Sequence, residues 1–199
     1  EQVSLSELVD PFLTTSYAET TATLHIMRVL IEDETQIARI DQELARRRQR
    51  MPTWITGLAG ARMEPDVWMV TDAVGSGASY LFSAKLSPEW TVTASVYIDD
   101  NLGGIAKNGF VAMAPMSDLI EALPHDDPDM TVTTADPATV RAVLERALDI
   151  AARRYSAVGL GDWPRSRPLI EWLARLMPSG GSVPTPDVWS AERLAELAD

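Results

Sequence analysis

The stretch Trp90-Thr91-Val92-Thr93-Ala94-Ser95-Val96-Tyr97-Ile98-Asp99 decides the fold class. Trp90, Val92, Ala94, Val96 and Ile98 share one phase, and Thr91, Thr93, Ser95, Tyr97 and Asp99 share the other. A period of two sends alternate side chains to opposite faces of a strand. The apolar set therefore meets a core, and the hydroxyls meet water or a second layer. The same beat runs upstream through residues 67–72, and again through Ala78, Tyr80, Phe82, Ala84 and Leu86. Gly75-Ser76-Gly77 and Ser87-Pro88-Glu89 are the turn signals between them. Short turns join antiparallel neighbours, so these segments predict a meander. Residues 109–114 are a candidate fourth strand, and Thr131-Val132-Thr133 a candidate edge strand.

Outside this region the period lengthens. Ser4 and Glu7 have capping-box spacing, and Pro11 is expected to end or kink the short helix they open. Ser16 with Glu19, and Asp33 with Gln36, repeat the spacing. Behind them, Leu24, Met27 and Ile31, then Ile37, Ile40, Leu44 and Met51, recur at helical intervals. The short break near residues 32–34 predicts two antiparallel helices. Pro52 suits the first turn of a short helix. Residues 117–123 predict another short helix. Asp136-Pro137 opens a long one carrying Val140, Leu144, Leu148 and Ala151. Residues 159–164 read as a loop, and Pro168 as the opening of the next helix. Residues 179–186 read as a linker, and Ser190 as the cap of a last helix.

The expected class is α+β: an antiparallel β-meander of three to five strands, packed on one face by helices, with an N-terminal helical hairpin. The organisation divides as 1–51 for the hairpin, 52–178 for the α+β core, and 179–199 for the linker and last helix.

Composition removes much chemistry. The 199 residues include no cysteine, which excludes disulfides, thiolate metal sites and cysteine nucleophiles. Two histidines leave little for a metal cage, so neither a cofactor nor a metal is expected. Seventeen basic against 29 acidic residues give a net charge of −12, which opposes general binding to a phosphate backbone. No run approaches the length of a membrane span, and no membrane partner is expected. The start lacks a basic region followed by an apolar run, so a cytoplasmic location is expected.

Four constellations are candidates for function. Asp99 and Asp100 end the strongest strand, where carboxylates can face a cleft; the plainer reading is a polar turn. His125 opens an acidic stretch with Asp126, Asp127 and Asp129, but that run contains Pro128 and lacks a calcium-loop spacing. Lys107 lies among glycines in an order that is not a P-loop. Arg46, Arg47, Arg48 and Arg50 form a basic cluster that can grip an acidic partner or phosphate, or can simply sit at a helix C-terminus.

The expected function is that of a non-catalytic protein-interaction protein or accessory subunit. Its contact would be Leu24, Met27, Ile31, Ile37, Ile40 and Leu44 of the helical pair, flanked by Arg46, Arg47, Arg48 and Arg50. The expected partner is another protein or a second copy. One alternative is a metal-assisted hydrolase using Asp99, Asp100 and His125, with Lys107 as an anion contact. Another is an RNA- or ribosome-associated factor using the arginine cluster.

Overall fold

The computed structural model describes residues 4–73, 75–124, 127–154 and 163–184. Helices α1 (Leu5–Thr14), α2 (Ala18–Leu30) and α3 (Glu34–Leu44) come first, then the short α4 (Thr53–Gly57). Strands β1 (Arg62–Met63), β2 (Val67–Asp72), β3 (Gly77–Ser87), β4 (Trp90–Asp99) and β5 (Ile105–Ala112) follow. The chain then runs through α5 (Met116–Glu121), β6 (Met130–Ala135), α6 (Pro137–Arg154) and α7 (Trp163–Arg175). The fold is α+β, as the alternating strand pattern implies.

The sheet is antiparallel with six strands in the order β5-β4-β3-β2-β6, and β1 pairs β3 beyond the end of β2. The meander from β2 to β5 is hairpin-connected. After β5 the chain crosses the sheet through α5 and adds β6 at the opposite edge. The register sets Phe82 across from Ala94, Ala84 from Val92 and Ala78 from Ile98, so β3 and β4 together present an apolar face, with Tyr80 opposite Val96. That face buries against Val140, Leu144 and Leu148 of α6 and Ile170, Trp172 and Leu173 of α7. On the other face Ser83 and Thr93 are also buried. Their hydroxyls bond each other at 2.7 Å, and Thr93 donates to the Ala114 carbonyl at 2.6 Å. The segment leading into α5 is thus the second layer that the hydroxyl phase of β4 meets. Gly57 is required where α4 rests on β3, because a Cβ there would lie 2.0 Å from the Leu86 carbonyl oxygen.

Helix α2 has two apolar faces. Ile26, Val29 and Leu30 pack on the sheet core, while Leu24, Met27 and Ile31 face α1 and α3. Arg175 ties the two layers: its guanidinium pairs with Glu32 at 2.8 Å and lies 3.4 Å from the Val29 and Leu30 carbonyls at the end of α2. Arg141 of α6 similarly donates to the Arg175 and Met177 carbonyls at the end of α7. A cation at a helix C-terminus meets unpaired carbonyls and the negative end of the dipole.

Several element boundaries differ from the sequence expectation. Helix α1 continues through Pro11 to Thr14, because Val9, Phe12 and Leu13 gain burial that offsets one missing hydrogen bond. The N-cap of α2 is Tyr17, whose N–H donates to the Thr20 hydroxyl, rather than Ser16. Helix α3 stops at Leu44, short of Met51. Strand β5 begins at Ile105, before the expected Gly109, and α5 ends at Glu121. Helix α7 begins at Trp163 and carries Pro168 inside it, so residues 163 and 164 are helical rather than loop. The expected last helix after Ser190 lies outside the described residues. Among the described residues, no helix is long and apolar enough to cross a membrane.

Candidate functional site

The β4–β5 turn gathers three of the four residues considered for catalysis. Gly103 and Gly104 have φ of 84° and 75°, which lets the chain reverse tightly after Asp100. The ladder slips between Tyr97–Asn108 and Ile98–Ala106, leaving Lys107 as the extra residue of a β-bulge. The Lys107 Nζ lies 2.8 Å from Asp99 Oδ2, and the Leu102 N–H donates to Asp99 Oδ1 at 3.1 Å. The Lys107 hydrogen bond, aided by the Leu102 N–H, holds the Asp99 carboxyl below its ordinary range. Burial, then the charge of Asp99, pushes the exposed Asp100 carboxyl up. Burial also raises the Tyr80 phenol, with the Asp100 charge adding to it.

The backbone N–H of Asp100 donates to the Ser76 carbonyl, while Asp72 accepts from the Ser76 N–H and hydroxyl. Both Asp99 oxygens are therefore engaged in shaping a turn. This is the chemistry of a charge-assisted clasp. His125 lies outside the described residues. Among the described residues, no three histidine or carboxylate side chains gather so as to hold a metal ion.

The helical pair is built differently from the sequence expectation. Leu24 and Ile40 are fully buried with Val9 of α1, and Met27, Ile31, Leu44, Leu5, Phe12 and Leu13 pack around them. Ile37 is half-buried. The apolar stripe expected to meet a partner is covered largely by α1. The spacing of Leu5, Val9, Phe12 and Leu13 was the available signal for this cover. His25, half-buried on α2, has its imidazole pushed down by burial and then by Arg28.

The arginine cluster divides by alternate residues. Beyond Leu44 the chain leaves the helix. Arg47 turns inward with its side chain only 2% exposed. Its guanidinium pairs with Glu43 at 2.9 Å and donates to the Thr20 and Thr21 hydroxyls, each at 3.0 Å. It also reaches the Phe12 carbonyl at 2.6 Å, where α1 is ending. Gln49 turns the same way and donates to the Ser16 carbonyl and hydroxyl at 3.2 and 3.0 Å. Arg46, Arg48 and Arg50 consequently point to solvent. Their guanidinium groups make no hydrogen bond or ion pair among the described residues. Tyr17, beside Ser16, is 67% exposed.

Residues 46–50 thus form a ridge pinned on one side by Arg47 and Gln49 and basic on the other. A fork of several N–H donors explains why arginine is used at 47, since one ammonium cannot reach two hydroxyls, a carboxylate and a carbonyl together. Comparison with protein-family models, with curated proteins and with solved structures found no match for this chain.

Proposed function

We propose that the protein is a non-catalytic interaction protein or accessory subunit that holds an acidic segment of a protein partner on the ridge of its N-terminal helical unit. The observation supporting this reading is that Arg46, Arg48 and Arg50 project outward, unpaired among the described residues, from a segment whose intervening side chains are anchored. A chain of net charge −12 has carboxylates to spare for pairing arginines. These three instead remain available for charge-assisted hydrogen bonds to another molecule. Carboxylates on alternate residues of an extended partner lie about 6.5 Å apart, within the joint reach of three long arginine side chains. The ridge, rather than the apolar stripe, carries the contact in this reading, because Leu24 and Ile40 are already buried against α1.

A protein partner is preferred to RNA. A long polyanion would run past three arginines onto a negative body, and among the described residues no aromatic array accompanies the ridge for base stacking.

The test titrates the full-length protein against a labelled peptide of alternating glutamate and serine and against labelled oligouridine. The acidic peptide is expected to bind and to weaken with added salt. The variant R46E/R48E/R50E should weaken it by at least about tenfold with an unchanged melting temperature. Failure of the peptide to bind, or equal binding by the variant, overturns the proposal. Tighter binding of oligouridine than of the peptide replaces it with the RNA reading.

A further inference from the structure

We infer that the free edge of β6 accepts an extended segment of a partner protein as an added strand, and that this segment carries basic residues on both sides of an uncharged centre. The two edges of the sheet are unlike. Edge strand β5 is broken by the bulge at Lys107, carries Lys107, Asn108 and Gly109 in its middle, and is contacted by α6 and α7. These are devices that discourage further pairing. Strand β6 has none of them. All six of its residues, Met130–Ala135, pair in unbroken register with Asp72–Val67 of β2. It contains no charge, proline or glycine, and three threonines, Thr131, Thr133 and Thr134, are exposed along it. In an edge strand every second residue turns its N–H and C=O away from the sheet. Among the described residues no strand pairs with that side. Such an edge supports strand addition, in which main-chain bonds give affinity and flanking side chains give specificity.

Charge identifies the occupant. At one end of β6 stand Asp127 and Asp129. At the other stands Asp136, and the register Val67–Ala135 brings Asp66 and Glu64 to that same end. A groove beside it is lined by Trp68, Met116 and Ile120 and rimmed by Glu64, Asp66 and Glu121. Basic side chains beyond each end of an added strand would meet these carboxylates. A second copy fits poorly: antiparallel pairing centred between Val132 and Thr133 would set Asp129 against Asp136 at both ends, and like charges directly opposite are destabilising. This inference is independent of the arginine ridge, which takes a partner of the opposite charge on another part of the chain.

The test uses the full chain and two labelled peptides. Each has six alternating threonine and valine residues; one is flanked by two lysines at each end and the other by two glutamates. The lysine-flanked peptide is expected to bind and to slow amide exchange across residues 130–135. The glutamate-flanked peptide should bind at least about tenfold more weakly. D129N/D136N, which keeps the asparagine-compatible cap of α6, should narrow that gap. Methylating alternate backbone nitrogens of the lysine peptide should abolish binding. Absence of slowed exchange at saturating lysine peptide, or equal affinity for the two peptides, overturns the inference. So does exchange that is already slow in the free monomer at those amides of residues 130–135 that do not bond β2, since the chain would then cover its own edge. A concentration-dependent dimer protected at 130–135 overturns it in favour of a second copy.

Discussion

The two apolar clusters of this molecule are built on opposite plans although α2 belongs to both. Beneath the sheet, long alternating strands supply a continuous wall of aliphatic side chains, and α6 and α7 close over it. Between α1, α2 and α3 only Val9, Leu24 and Ile40 are fully buried. What that smaller cluster lacks in area is made up by guanidinium groups. Arg28 bonds Asp41; Arg39 reaches Asp10 at 2.7 Å, Ser6 at 3.1 Å and Gln36 at 2.9 Å; and Arg47 gathers three segments. The contrast shows that a small helical layer can be fixed in place by multi-dentate polar anchors where there is too little apolar surface to do so.

The contrast is broken most directly at its two centres. Phe82→Ala should cost about 3–5 kcal/mol and lower the urea midpoint of the whole chain. Leu24→Ala should cost about 2–4 kcal/mol, and hydrogen exchange should show the loss concentrated in residues 4–45. If both variants loosen the molecule uniformly, the two clusters are one cooperative unit.

The anchors are tested next. Arg47→Lys cannot serve the Glu43 carboxylate, the two threonine hydroxyls and the Phe12 carbonyl together, and should cost about 1–3 kcal/mol. Arg48→Lys, one residue away on the outward side, should stay within about 0.5 kcal/mol. Equal effects in thermal melts would remove the distinction between anchor and ridge.

The smallest effect concerns pH. Asp99 has a folded pKa below its unfolded value, so its contribution is present at neutral pH and lost as pH falls through the folded value. Asp136 and Glu7, each held low by backbone N–H bonds at a helix start, act in the same direction. Asp100 acts oppositely: its raised pKa costs stability when ionised, and that cost disappears on acidification. Melting temperature should therefore be flat from neutral pH to about 5 and fall below about 4. Asp99→Asn should flatten the acid limb, whereas Asp100→Asn should slightly raise the neutral-pH melting temperature.

Strands were the most legible part of the sequence. Trp90 to Ile98 alternates without interruption, and nothing else satisfies that pattern. The long α6 was equally plain from Asp136-Pro137. The prolines misled, since Pro11 and Pro168 sit inside helices whose burial outweighs their local cost. The candidate site was legible as residue types but not as directions. Four arginines after a helix resemble dipole partners at its end, and only the departure from the helix after Leu44 reveals that Arg47 and Gln49 alternate with the outward three. The clasp of Asp99 by Lys107 depends on a one-residue slip in pairing, which no periodicity records. The interior use of Leu24 and Ile40 depends on where α1 docks, a tertiary fact.

Arg175 lies 146 residues after Val29. On a ribosome adding about 5–20 residues per second, the partners of this strap are synthesised roughly 7–30 s apart. Until the sheet core is made, the first three helices rely on their own contacts: three buried aliphatic side chains and the polar anchors around them. The inward arginine at position 47 follows the third helix within three residues, whereas the strap residue, Arg175, follows only after the whole sheet and α6.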